Sequence, residues 1–323
     1  MSKIIGIGNA LVDIIVNIEK EDILDRFSLK KGGMEMIDSE TKRSLHNAIS
    51  EMRQVTASGG STANTIHGLA RLGVQTGFIG KISQDNAGQF FSSDLQNSNV
   101  NDHLIYTDVD TGIATTLMTS DAERTFATYL GAAAMMTPEE IRKEIFKDYH
   151  YILVEGYLIF NRDLILKVCQ YAKEHGLKIA MDMASYNLVE TNRDFIHMLL
   201  EEYVDIIFAN EEEAKAFTGK EEYEALEELS KLCEVAVVKI GCRGSLASVH
   251  GKVTAIPPQP ANCIDTNGAG DIYAAGFLYG LMKNLPVEET GKLASMLSAK
   301  LVETTGAKLS DQQWAEVRLM INS

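Results

Sequence analysis

Hydrophobic residues in this chain follow two rhythms. Short, nearly continuous apolar runs at Lys3–Gly8, Thr76–Ile82, Tyr151–Val154, Lys178–Asp182, Asp205–Ala209 and Val235–Lys239 have the pattern of strands covered on both faces. Between them, apolar positions return at helical spacing in Ser61–Leu72, Asp85–Ser98, Pro138–Phe146, Asn161–Glu174 and Glu288–Thr305, the third with proline in its first turn. Alternating strands and helices predict a parallel, doubly wound α/β sheet. Two stretches break the alternation. Leu11–Ile18 and Met34–Ile37 are strand-like, and so is Leu104–Leu130, where Thr111–Met118 and Arg124–Tyr129 flank Ser120-Asp121. These predict two separate β-ribbons, from about 14–38 and 104–130. There is no repeat, linker or low-complexity tract, so residues 1–323 read as one domain, and the acidic run Glu211–Glu228 reads as solvated helix surface.

Composition narrows the function classes. A chain of 323 residues, 45% hydrophobic and 23% charged, can bury a large core. Its net charge of −15 disfavours nucleic acid and anionic membrane surfaces as partners, so any phosphate site must be local. Cys169, Cys233, Cys242 and Cys263 include no C-x-x-C pair, which reads as reduced thiols in a cytoplasmic protein without a zinc site. The run Ile4–Val16 contains Asp13 and lacks a cleavage-site pattern, so it reads as strand, and 272–282 is too short to span a bilayer. Gly6-Ile7-Gly8 starts like a dinucleotide fingerprint, but Leu11 stands where the third glycine belongs.

The densest chemistry lies at Asp265-Thr266-Asn267-Gly268-Ala269-Gly270-Asp271, which runs straight into the apolar segment Ile272–Met282. Small residues at Gly268, Ala269 and Gly270 let an anion approach the N–H groups of a helix start. Asp271 would repel that anion, unless it takes a proton from a hydroxyl attacking a phosphate; otherwise it merely stabilises a helix N-terminus. Gly59-Gly60-Ser61 opens a helix with Asn64 one turn inside, where glycines admit a ligand and Ser61 can cap. Asp13 lies between Val12 and Ile14 and needs partners if buried. Asn210-Glu211-Glu212-Glu213 joins a strand to a helix, a usual ligand position in open α/β sheets, and Val235–Lys239 leads into the tight turn Gly241-Cys242-Arg243-Gly244. No G-x-x-x-x-G-K-[ST] loop and no H-R-D set is present.

Asp265–Asp271, with Gly59–Asn64 followed by Leu69-Ala70-Arg71-Leu72-Gly73, resembles the paired signatures of the PfkB, or ribokinase-like, sugar and nucleoside kinases, and the likeness spans nearly the whole chain. The resemblance implies a ribokinase-like fold in which the two ribbons form a small β-sheet lid. It implies an ATP-dependent, Mg2+-requiring kinase acting on a primary hydroxyl, with Asp271 as base and Gly268, Ala269 and Gly270 as anion hole. Asn9, Leu11, Asp13, Gly59, Gly60, Ser61, Asn64 and Asn267 would hold the acceptor. Tyr157 would stack on a nucleoside base, or else pack in the sheet edge with its hydroxyl satisfied. Arg124, in Asp121-Ala122-Glu123-Arg124-Thr125, would reach the transferred phosphate from the lid, or else be a solvated charge. On the ATP side stand Asn210, Glu213, Lys239, Gly241, Gly244, Ser295 and Ser298, with Glu213 acting on Mg2+ through its water shell. Asp265 would border a monovalent cation such as K+. The chain would be a monomer or a lid-mediated homodimer. The motif details lean towards the adenosine-kinase-like subgroup, with a sugar kinase of the fructokinase or ketodeoxygluconate kinase type as the alternative. A silent binding module that kept the pocket is the contrasting class, and an intact Asp271 argues against it.

Overall fold

The computed structural model describes residues 2–121 and 123–321; Ala122, within the expected lid motif, lies outside them. Strands β1 (Lys3–Ile7) and β2 (Leu11–Asn17) lead to α1 (Asp22–Arg26), β3 (Met34–Met36), α2 (Ser39–Ile49) and β4 (Gln54–Gly59). Next come α3 (Ser61–Arg71), β5 (Gln75–Ile82), α4 (Asn86–Asn97), β6 (Val100–Tyr106), β7 (Gly112–Met118) and β8 (Arg124–Tyr129). Then β9 (Tyr151–Glu155), α5 (Arg162–Glu174), β10 (Lys178–Asp182), α6 (Tyr186–Glu202), β11 (Ile206–Asn210), α7 (Glu211–Thr218), α8 (Glu222–Leu232) and β12 (Val235–Lys239) alternate. A hairpin, β13 (Ser245–Val249) and β14 (Lys252–Ile256), precedes α9 (Ala269–Met282), α10 (Val287–Val302) and α11 (Asp311–Ile321).

The large sheet has the order β14-β13-β12-β11-β10-β9-β1-β5-β6, parallel except for the β13 and β14 edge. The doubly wound expectation holds because these strands are apolar on both faces. Ile5, Ile7, Val154 and Ile179 belong to one core layer, which includes residues of α5 to α8. Ile4, Phe78, Phe208 and Phe277 belong to the other, which includes residues of α3 and α9 to α11. Helix α9 is buried along most of its length, and Gly276 lets α10 come close: a Cβ there would lie 2.8 Å from the Ala294 Cα.

The small sheet has the order β3-β8-β7-β2-β4. Ile14, Val16, Leu117 and Ala127 form one cluster with Leu45 and Ile49 of α2. Asp13 and Ile15 lie on the opposite face, and Ile15 looks towards Gly306 near the start of α9. Two of the chain's four crossings between the sheets lie at Gly8-Asn9-Ala10 and at Gly59-Gly60. These two touch: a Cβ on Gly60 would meet the Asn9 carbonyl oxygen at 2.2 Å, and Gly60 has φ +99°, so glycine is required there.

Three expectations change. Residues 104–106 belong to β6, which pairs in parallel with β5 in the large sheet, so the second ribbon begins at Gly112. Strand β4 was not foreseen, because Gln-Val-Thr-Ala-Ser-Gly carries little apolar signal; it joins the small sheet antiparallel to β2. The helix expected over Pro138–Phe146 is two short 3-10 turns, Pro138–Glu140 and Lys143–Asp148. Ile141 and Arg142 are extended between them, and Glu140 is fixed by Lys81 at 2.6 Å and by the Thr137 N–H at 2.9 Å.

Candidate active site

The C-terminal ends of the central parallel strands carry a row of polar groups. Asn9 follows β1, and β9, β10, β11 and β12 end in Glu155, Asp182, Asn210 and Lys239. This is the edge at which open α/β sheets bind ligands. Glu155 is 2% exposed and accepts the Asn9 backbone N–H (3.2 Å), the Asn9 Nδ2 (2.6 Å) and the Thr62 N–H (3.2 Å). Burial pushes its carboxyl up to about 7 against those bonds. Lys239 donates to Asp182 at 2.9 Å. Glu213 and Asn210 form a reciprocal cap on α7, with Glu213 Oε2 taking the Asn210 N–H and Oε1 taking its Nδ2, both at 2.8 Å. Burial, then the charge of Asp182, raises Glu213 to about 7.

Helix α9 begins where this row meets the first crossing. Gly268 caps it in a left-handed conformation (φ 72°), packed so closely on Ala307 that a Cβ would lie 2.6 Å from that of Ala307. A Cβ on Gly270 would stand 3.1 Å from Lys239 Nζ, so the lysine lies against the first turn, where the Ala269 N–H donates to the Thr266 carbonyl at 3.2 Å. Asp271, the third residue of that turn, is held by α3: Ser61 Oγ donates to one carboxylate oxygen at 2.8 Å and Asn64 Nδ2 to the other at 2.9 Å. Burial raises Asp271 to about 6, and the two donors pull against that rise. An acid that must be ionised to act as base would then give an activity limb near pH 6. Ser61→Ala should move that limb upward by removing a donor; a limb that stays put in a pH profile would show that Ser61 does not act on Asp271.

Asp13 lies on the other side of the same run, so close to Gly59 that a Cβ there would be 2.2 Å from its Oδ1. Burial raises it to about 7, with Lys308 opposing and Asp271 adding to the rise. Lys308 is itself bound to Asp94 at 2.5 Å and to Ser58. Asn64 is 8% exposed, and its Oδ1 has no hydrogen-bond partner among the described residues. Leu11 packs over Gly112 at the mouth of the small sheet.

Arg124, at the start of β8, pairs with Asp265. Asp265 is 3% exposed and also accepts the N–H groups of Asn267 (2.6 Å) and Gly306 (2.7 Å). Arg124, its side chain 15% exposed, is thus an ion-pair partner of the signature turn and not a free solvated charge. Arg124→Ala should lower kcat more than it changes the acceptor KM, because the guanidinium is held beside the turn that would meet the transferring phosphoryl group. A change confined to acceptor KM in steady-state kinetics would contradict this.

Residues 34–314 match the family model described as "pfkB family carbohydrate kinase". The chain belongs to the PfkB family of carbohydrate kinases. It is a phosphotransferase acting on an alcohol group. A 5-dehydro-2-deoxygluconokinase of Geobacillus kaustophilus is 31% identical over 247 residues, 71% of this chain and 74% of that protein. The Bacillus licheniformis protein of the same name is 27% identical over 94% of this chain and 97% of its own. Among solved structures, an adenosine kinase from Sinorhizobium meliloti superposes with a TM-score of 0.89 at 30% identity over 99% of both chains. A probable sugar kinase from Rhizobium etli gives a TM-score of 0.89 at 28% identity, over 99% of this chain and 98% of the other.

Within this PfkB chain, several expected positions have definite local tasks. Tyr157 is half-buried against the core layer of α5 to α8, with its hydroxyl 3.5 Å from the Ala184 carbonyl. Ser298 donates to the Ala269 carbonyl at 2.9 Å and ties α10 to the first turn of α9; Ser295 is buried on α10. Gly241 (φ +57°) and Gly244 (φ +99°) shape the turn after β12. Glu155, Asp182 and Lys308 were not foreseen as site residues. The signal for the first two was in the sequence: each is a carboxylate ending an apolar strand. Lys308 carried none, since its role depends on the distant Ser58 and Asp94.

The described residues hold no group of three or more His, Cys, Asp or Glu able to cage a metal ion. Both oxygens of Glu213 accept from Asn210, and both of Asp265 are engaged by Arg124 and two N–H groups. Asp182 and Glu213, beside Lys239, fit a hydrated Mg2+ carried in by ATP phosphates, since that ion keeps several of its waters.

Proposed function

We propose that the chain transfers the γ-phosphoryl group of ATP to a primary hydroxyl of a sugar, with Asp271 as general base. One observation carries this reading: Asp271 stands in the anion-favouring first turn of α9 and is held there by Ser61 and Asn64 of α3, which packs against α9. The acceptor hydroxyl gives its proton to Asp271, its oxygen bonds to the γ-phosphorus, and the bond from that phosphorus to the bridging oxygen breaks to release ADP. Gly268, Ala269 and Gly270 would supply N–H groups to the phosphoryl oxygens, and Lys239, against Gly270, a positive charge. Mg2+ would neutralise β- and γ-phosphate charge, backed by Asp182 and Glu213. Asn9, Asp13, Ser61 and Asn64 would hold acceptor hydroxyls beside Leu11 and Asn267, while Asn210, Gly241, Gly244, Ser295 and Ser298 would border the nucleotide.

A sugar is preferred to a nucleoside because curated relatives carry a sugar kinase name and because Tyr157 is packed in part on the core with its hydroxyl on the Ala184 carbonyl. Adenosine is the second reading, favoured by the likeness to the Sinorhizobium enzyme along the whole chain. Comparing kcat/KM for fructose, ribose, ketodeoxygluconate and adenosine with Mg-ATP decides between them. A best acceptor that is a free sugar supports the first reading, and adenosine as best acceptor replaces it with the second.

A further inference from the structure

Resting on the proposed kinase reading, we infer that the acceptor is an uncharged, hydroxyl-rich molecule and that the site rejects sugar acids, with Asp13 and Asn64 enforcing the choice. Three carboxylates converge on the single run Gly59–Asn64. Asp13 lies against Gly59, Glu155 accepts the Thr62 N–H, and Asp271 accepts from Ser61 and Asn64. The cations around them are already committed: Lys308 to Asp94 and Ser58, Lys239 to Asp182, and Arg124 to Asp265. A carboxylate on the acceptor would therefore meet the like charges of Asp13 and Asp271, while Lys308, Lys239 and Arg124 are each already paired with a carboxylate of the protein. The raised positions of Asp13, Glu155 and Asp271 show the same thing from the protein's side, for this place already resists the negative charge it holds.

The unused hydrogen-bonding capacity points to what the site does accept. The Asp13 carboxylate takes no hydrogen bond from any described residue, and Asn64 Oδ1 is buried without a partner. Both are acceptors. The buried Asn64 Oδ1 is costly to leave empty and the partly exposed Asp13 carboxylate can also accept, so the ligand should bring donors to both; sugar hydroxyls supply them, whereas the carboxylate of a sugar acid, ionised at pH 8, cannot. The chain then shares a sugar-type acceptor with relatives named for a gluconate but differs from them in the acceptor's charge, despite 31% identity to one of them.

The test measures acceptor binding by calorimetry, and kcat/KM with Mg-ATP, at pH 8 for ribose, fructose and adenosine against gluconate, ketodeoxygluconate and 5-dehydro-2-deoxygluconate. The expected result is at least about a 100-fold preference for the best neutral compound over the best acid in both readouts, the scale on which a site rejects a partner that leaves its polar groups unpaired. Asp13→Asn, checked for folding by its melting curve, should weaken the neutral acceptor and narrow the ratio. A sugar acid bound as tightly as the best neutral compound, or no compound of either class bound, overturns the inference. Phosphorylation of a sugar acid as best acceptor removes this inference and leaves the kinase reading standing. Tight neutral binding without phosphoryl transfer does the reverse.

Discussion

Asp271→Asn should fold, bind ATP and lose roughly two to four orders of magnitude in kcat, the range for removal of a general base. Asparagine keeps the size and can still accept from Ser61 or Asn64, so α3 and α9 should stay joined. Thr65 Oγ1 adds a bond to the Asp271 backbone carbonyl at 3.1 Å, which the substitution does not touch. The loss should appear in kcat, since what is removed is a proton acceptor needed only as the hydroxyl attacks. A variant with wild-type kcat would show that Asp271 serves only the helix N-terminus.

Asp13→Asn should make the protein more stable at pH 8 while weakening acceptor binding. The folded state raises the Asp13 carboxyl from 3.8 to about 7, so its ionised form costs the fold on the order of 4 kcal/mol at 1.36 kcal/mol per pKa unit. The sign follows from proton binding. Between about pH 4 and 7 the folded state holds a proton that the unfolded chain releases, so this group's contribution falls as pH rises through that window. The gain from asparagine should be full above pH 7, shrink on acidification and vanish below about pH 4. Melting temperatures of both proteins across that range test it; a variant destabilised at pH 8 would mean that Asp13 has a protein partner in solution. On the proposed function such a carboxylate is a cost to the fold kept for ligand binding, and functional sites commonly carry costs of this kind.

Much of this was legible in the sequence, and the reasons are local. Strands β9 to β12 announce themselves because a strand buried on both faces must be apolar throughout. The start of α9 is legible because a glycine-rich turn, an acid and an apolar helix occur in sequence. Strand β4 was invisible because its neighbours across the small sheet, not its own residues, make it a strand. Pro138–Phe146 misled because proline followed by two glutamates reads as a helix start, and the capping box of Thr137 and Glu140 does form, but the chain turns extended at Ile141 and Arg142 after a single 3-10 turn. At the site, Asp271, Ser61 and Asn64 were found and are joined by hydrogen bonds across more than 200 positions. Tyr157 was nameable, but which of its two readings holds depends on Ala184 and the core beneath it. The pairing of Arg124 with Asp265 joins the small sheet to the signature turn, and no spacing along the chain reveals it.

The most direct test of the central claim follows the phosphorus itself. Purified protein is incubated with Mg-ATP and each acceptor in turn, and 31P NMR is recorded as ADP forms. The expected spectrum shows one phosphomonoester on a primary carbon for each ADP formed, dependent on the acceptor and abolished by EDTA. ADP appearing with inorganic phosphate alone, or no ADP with any sugar or nucleoside, would contradict the account.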